Sequence, residues 1–542
     1  MHYIRPTLPL FLTLTALAAD RVPTPVPSAN PKVAGFAAPN ILSPELQQTS
    51  VATGAYKMEN PQDVFVYYGY NANGPMVPTT AGSRVEANKT EPDKNTYLVL
   101  KNQQGADPTY DYGTHFLFQG HETGVNSGGG TNGYISRINL DADGAHRVTL
   151  MAYQDVNGAA LPNIDGSTWY PFSQRLLFTS EGSLGGGVWQ ASLDVPSRVE
   201  SLTGVIGQGG YEGIQADSSG RLIIVEDAGG SAGSVNNFAK RPNSYIYRFV
   251  PYNVSDLRQG GVLQALQVKS KADPSRPIYF NFYATADAHI LSQDLKDLHT
   301  YGLKFDAVWV TIHDTAKDGT VPFNAIALAK TAKATPFKRP ENGQFRPGTN
   351  FSEFYFDETG DTDNRTQAGT TYGGFGAIYK LQMNGDSGTL SLVYNGDQVH
   401  AGFDNCSFWD ADHIVFVEDA GDTLHTQRNA LDSAWMFDVR ENYSNGAQPI
   451  RILAEGRDTS ATLDSLFGTS GLGYTGAFAN EGDNEITGWH MSDGDPTQLG
   501  LLGAKMPHPF QAGWRLFWTQ QHGDNITWEI NDFSNSGLQS GK

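Results

Sequence analysis

Two stretches of the chain repeat a carboxylate pattern at a fixed spacing. Glu212 lies 14 residues before Glu226, and Asp404 lies 14 before Glu418; each second acid opens the tetrapeptide Glu-Asp-Ala-Gly. Acids brought together at the ends of repeated strands repel one another in a partly dry setting, which raises their pKa values unless a cation neutralises them. Carboxylate and carbonyl oxygens are hard ligands that favour Ca²⁺, Mg²⁺ or Mn²⁺, with iron where the ligand set is richer. Arg339-Pro340-Glu341 adds a second element, because an arginine beside a metal-bound carboxylate can clamp a phosphate through two parallel hydrogen bonds. An arginine satisfied by a surface acid is the plainer reading of the same tripeptide.

The elements that must position these groups are six apolar strands, each running into a polar cluster and a glycine: His115–Gly124, Arg175–Gly186, Arg221–Gly230, Glu353–Asp361, His413–Asp422 and Arg515–Asp524. Repeated strands of this kind predict an all-β, six-bladed β-propeller with long insertions, whose strand ends converge on one central site. A pair of β-sandwiches is the structural alternative, and it would not bring six strand ends together. Sixty glycines, 28 prolines and 11% aromatic residues suit short strands and tight turns. Short helical stretches are expected around Asn324–Lys333 and Asp256–Leu266.

Residues 1–18 read as an export signal, with Arg5 as the charged region, an apolar run over Leu8–Leu17 and a small-x-small site at Ala16–Ala18. The run is too short to span a bilayer comfortably. A Pro- and Ala-rich linker is expected over residues 19–50, a single propeller domain over 51–530 and a polar tail over 531–542. The expected location is therefore periplasmic or secreted, by the general secretory route, with no membrane segment after signal removal. Losing residues 1–18 removes one basic residue and no acid, so a formal charge of −20 becomes −21. Nucleic acid and anionic lipid are poor partners for such a chain.

Other motifs carry less. Gly229-Gly230-Ser231-Ala232-Gly233 fits G-x-S-x-G, but no helical run follows it, so a loop is expected. Asn139–Gly144 begins like a calcium loop, yet Leu150 stands where a closing Glu is needed, which leaves a β-turn. Cys406 is the only cysteine and reads as a buried small apolar residue.

Taken in order, several motifs resemble the PhoX-type secreted alkaline phosphatases. They are Gly120-His121-Glu122, Ser180-Glu181-Gly182 after Trp169, Tyr211-Glu212-Gly213 leading to Glu226-Asp227, Tyr245–Val250 followed by Gly260–Leu266, Arg339-Pro340-Glu341, Asp404-Asn405, Glu418-Asp419, Asn484–Gly488 and Gln521-His522-Gly523. The resemblance covers roughly residues 100–525 and implies a six-bladed propeller that hydrolyses phosphate esters at a calcium–iron cluster. It implies metal ligation by Glu122, Glu181, Glu212, Glu226, Glu341, Asp404, Glu418 and Glu485, with Arg339 and Glu341 as the catalytic pair. A small phosphate ester is the implied substrate, attacked in line without a protein nucleophile. The chain departs from the pattern at Ser180, where the family has an iron-binding cysteine, and at Gly120, where it has a phosphate-binding asparagine. Serine is a far poorer soft ligand than thiolate, so calcium is expected more than iron. These departures keep two alternatives open: a non-catalytic calcium-binding extracellular propeller, and a calcium-dependent esterase or lactonase.

Overall fold

The computed structural model describes residues 22–32, 39–62, 65–69, 76–78, 84–86, 90–122, 133–182, 185–234, 237–456, 485–521 and 525–533. The expected export signal and most of the polar tail lie outside the described residues. No described helix is long and apolar enough to cross a membrane.

All six apolar runs form strands: His115–His121, Arg175–Ser180, Leu222–Glu226, Glu353–Glu358, His413–Glu418 and Arg515–Gln521. Their central residues are buried on both faces, as in Leu222-Ile223-Ile224-Val225. That explains the continuous apolar sequence, since each strand has another layer packed on either side. Each pairs antiparallel with an inner strand that precedes it. The inner strands are Pro92–Val99, Ser167–Tyr170, Tyr211–Ala216, Gly343–Phe345, Phe403–Phe408 and Glu485–Ser492. Antiparallel pairing puts the start of every inner strand beside the end of its partner, so Pro92 faces His121, Tyr211 faces Glu226 and Phe403 faces Glu418.

Hydrogen bonds pass from each inner strand, or its immediate partner, to the next around a ring. Thr96 Oγ1 pairs with Ser167 Oγ at 2.8 Å, Thr179 Oγ1 donates to Glu212 O, and Gly213 N donates to Glu341 O at 2.8 Å. Phe408 N donates to Gln344 Oε1 at 3.0 Å, Asn405 Nδ2 to Thr487 Oγ1 at 3.0 Å, and Asn95 Nδ2 to Gly488 O at 2.7 Å. Two glycines permit this approach. A Cβ on Gly166 would lie 2.0 Å from Glu212 O, and one on Gly213 would lie 2.9 Å from the Asn342 backbone.

The arrangement is all-β and propeller-like, but the six strand pairs do not fall in six separate sheets. Lys304–Asp314 pairs on one side with Gly261–Val268 and on the other with Ser387–Asn395, joining two four-stranded runs into one nine-stranded sheet. Part of the expected linker is also strand. Ile41–Leu42 pairs with Ile450–Ala454, and Leu46–Ala52 completes the last sheet by pairing with Ile526–Asp532. Edge strands of this kind are held through backbone bonds, so their polar side chains gave little strand signal.

Ala325–Thr331 is helical as expected, capped by the Asn324 side chain. Over Asp256–Leu266 only one 3₁₀ turn forms, Leu257–Gln259. Gly260 ends it at φ 91°, and a strand begins at Gly261.

Candidate metal centre

The strand geometry gathers carboxylates where inner strands start and their partners end. Asp93, Asp165, Glu212, Glu341, Asp404 and Glu485 stand within two residues of the six inner-strand starts, one for each. Glu122, Glu181, Asp227 and Asp419 follow the ends of partner strands. Three groups have ligand oxygens within 4.8 Å of one another: Asp93–Glu122–Asp165, Asp165–Glu181–Glu212 and Glu212–Asp227–Glu341. Asp165 and Glu212 are each shared by two groups, so seven carboxylates form one continuous arc. At 4.8 Å and an effective dielectric of about 20, two charged carboxylates repel by about 3.5 kcal/mol.

That repulsion, added to burial, governs the protonation of the arc. Glu122, Asp165, Glu212 and Glu341 are held well above the usual carboxylate range, in each case by burial first. Glu181 is pushed up to about 8, by burial and then by the Asp227 charge. Asp404 is pushed up to about 7, by burial and then by the charges of Asp93 and Asp419. Glu485 is raised by burial and by Asp419, Asp404, Asp93 and Glu122, which ties the remaining strand starts to the arc. Without a cation, these groups carry protons in the folded chain that the unfolded chain has already released. Stability of the cation-free protein is therefore expected to fall as pH rises from about 4.5 to about 8. Thermal melts in chelator across that window should show the decline, and added calcium should reverse it most strongly near pH 8; a flat profile would contradict this.

The donor set fits a hard divalent cation. It is made of oxygens only, and Asp165 Oδ1 is buried with no hydrogen-bond partner among the described residues. Outer partners orient the ligands, as metal sites require. Gln521 Nε2 donates to Glu122 Oε1 at 2.6 Å and to Asp93 Oδ2 at 3.2 Å, and Thr487 Oγ1 donates to Asp93 Oδ1 at 2.6 Å. A thiolate-dependent iron does not fit these residues. Ser180 is buried and turns its Oγ onto Glu181 O, while Cys406 lies in an inner strand with its thiol pushed up by burial. Gly120 is not an open position either, since a Cβ there would lie 2.1 Å from the Ile164 side chain.

Arg339 borders the arc. Its backbone sits at φ 56°, an uncommon conformation for a residue with a side chain, and is held there by Thr359 N donating to its carbonyl at 2.8 Å. The guanidinium forks onto Asp227, with Nη2 at 2.9 Å, and Nη2 also reaches Glu341 Oε1 at 2.7 Å. Nη1 makes no hydrogen bond among the described residues.

Of the sequence-assigned acids, Glu122, Glu181, Glu212 and Glu341 lie in the arc, and Asp404 and Glu485 are electrostatically joined to it. Glu226 and Glu418 stand apart. Glu226 accepts from Gly210 N, Tyr245 N and Tyr247 OH, and Glu418 from Arg428, Ser433 N and Trp435 Nε1. The cause is the pleat, because successive side chains on extended backbone point to opposite faces. Asp227 and Asp419 face the site, and their neighbours face the sheet interior. Glu418→Ala is accordingly expected to cost about 3 kcal/mol of stability, by leaving Ser433 N and Trp435 Nε1 without their acceptor and Arg428 paired with Asp432 but no longer with Glu418, while leaving calcium affinity within about threefold. Denaturant unfolding and calcium titration of the same variant check both halves. Sequence reading also missed Asp93, the second residue of its inner strand, and Asp165, two residues before its own, where the adjoining residues carry no apolar run.

The two weaker motifs behave as expected. Ser231 lies in a loop, with Arg241 N bonded to its carbonyl, and Asn139–Gly144 turns the chain between two strands.

The model of the family described as alkaline phosphatase PhoX matches residues 223–423. No curated protein sequence matches the chain. Among solved structures, PhoX of Pseudomonas fluorescens, in complex with the transition-state analogue vanadate, aligns over 94% of this chain and 98% of its own at 11% identity, with a TM-score of 0.52. Sqt1 of Chaetomium thermophilum aligns over 83% of this chain and 96% of its own at 10% identity, but its TM-score of 0.33 carries no argument. The chain is thus similar to the PhoX alkaline phosphatases in sequence over residues 223–423, and it shares the fold of the Pseudomonas fluorescens protein along nearly its whole length.

Proposed function

We propose that the chain is a secreted phosphoric ester hydrolase whose carboxylate arc holds divalent cations, calcium foremost, with Arg339 as the phosphate clamp. The observation that carries this reading is the arc itself, seven carboxylates linked through Asp165 and Glu212 with an arginine at its border. Bound cations would stabilise the negative charge that develops on the phosphoryl and leaving oxygens. Arg339 Nη1 would donate to a phosphoryl oxygen while Asp227 and Glu341 fix the guanidinium plane. Glu341 thus serves both the arc and the clamp. The arc's members are all carboxylates, so in-line attack by water is the simplest route.

We read the fold behind this site as six blades. The nine-stranded sheet would then be two blades bridged by Lys304–Asp314, and the ring of six inner strands supports this count. An export signal at residues 1–18 would deliver the protein to a compartment where calcium is plentiful.

A second reading, a calcium-binding propeller without catalysis, draws on one observation: neither Gly120 nor Ser180 can supply the family's missing side-chain contacts. Assays with phosphate monoesters, phosphate diesters and lactones, with and without chelator, decide between them. Monoester hydrolysis that chelator abolishes and calcium restores is the expected result. Cation binding with no ester turned over would leave the binding protein, and turnover of lactones alone would leave a carbon-ester hydrolase.

A further inference from the structure

One lysine lies directly under the arc. Lys94 follows Asp93 where the first inner strand's register is irregular, between Pro92 and Asn95, so the two side chains are not held to opposite faces; Asn342 and Asn405 likewise follow Glu341 and Asp404. Its Nζ donates to Asn342 Oδ1 at 2.9 Å. Asn342 adjoins the fourth inner strand, three places away from the first in either direction around the ring, so the lysine reaches across the axis to the opposite side. Lys94 is 2% exposed and Asn342 is fully buried. The Lys94 charge favours the ionised forms of Asp93 and Cys406 and the neutral form of His490.

The bonding of this lysine is unusual for a buried cation. Among the described residues it forms no ion pair, and its one hydrogen-bond acceptor is a neutral amide. Asn342 Nδ2 is itself buried without a partner, so the amide is turned to accept from the lysine at the expense of its own donor. Isolated buried ammonium groups are costly, and a packing role alone would be filled more cheaply by Met or Leu. What this position does supply is a fixed positive charge beneath a concentration of carboxylates.

We propose that Lys94 is a resident cation that occupies the floor of the arc and limits how tightly the arc takes up divalent ions. This rests on the reading of the arc as a cation site. A +1 charge a few ångströms below a divalent ion opposes its binding, and in a partly dry channel the effect exceeds a factor of ten. The site would then exchange its cations rather than hold them permanently.

The test is calcium titration, by calorimetry, of the full chain with Lys94→Met, Lys94→Gln and Lys94→Arg, each first stripped with chelator. The two neutral variants are expected to bind calcium at least tenfold more tightly than the native chain or to take up an additional ion, and Lys94→Arg to match the native chain. Gln, one bond shorter than Lys, keeps a neutral polar donor at the position and serves as the neutral variant if Met does not fold. Unchanged or weaker binding in a folded neutral variant overturns the proposal and makes Lys94 a strut. A native chain that takes up no calcium removes the metal reading itself and the Lys94 proposal with it, a result distinguishable from failure of the variants.

Discussion

Glu212→Gln is expected to lower calcium affinity at least about 100-fold, with phosphatase activity falling in parallel. The reason is its place in the arc. Glu212 supplies an oxygen to both the Asp165–Glu181 group and the Asp227–Glu341 group, and it is buried. Substitution of partners that only orient ligands already costs 10–100-fold in metal sites, and a shared ligand should cost more. Asp165→Asn should behave alike, since Asp165 joins the other pair of groups. Glu122→Gln, in one group only, should cost about tenfold. Competition between the protein and a calcium indicator gives the three constants on one scale. Equal effects for all three would mean that the shared positions have no special weight.

Arg339→Ala is expected to lower kcat/KM for a phosphate monoester by about 10–100-fold, mainly through KM, while the variant keeps its calcium. The retained metal follows from geometry. Arg339 balances Asp227 and Glu341, and its removal leaves those carboxylates more negative, so cations should bind at least as tightly. Arg339→Lys should recover little, because an ammonium cannot hold both the fork on Asp227 and the contact to Glu341 while presenting a further donor. Steady-state kinetics paired with calcium titration separates the clamp from the metal site; an unchanged KM would remove the proposed role.

What could be read from the sequence follows what each strand needs from its side chains. The six partner strands are buried on both faces, so they carry unbroken apolar runs, and Leu222–Glu226 or His413–Glu418 stand out at once. The inner strands have no such signature. Gly343–Phe345 is three residues long, and Asp93-Lys94-Asn95-Thr96 is wholly polar, because these residues border a polar axis. Asp93 and Asp165 were hidden for that reason. The Glu226-Asp227 and Glu418-Asp419 pairs were visible as pairs, but only the pleat decides which member faces the site. Lys304–Asp314 alternates in the manner of a strand, yet its two neighbours lie about 40 and 80 residues away, and sequence pattern does not encode such partners.

The central claim is that the arc is a divalent-cation centre. Elemental analysis of the full chain, purified from an exporting host without chelator, tests it most directly. Calcium at about one ion per chain or more, without comparable iron, and lost from Glu212→Gln purified alongside, is the predicted result. A folded, chelator-free chain carrying no divalent metal would contradict the account.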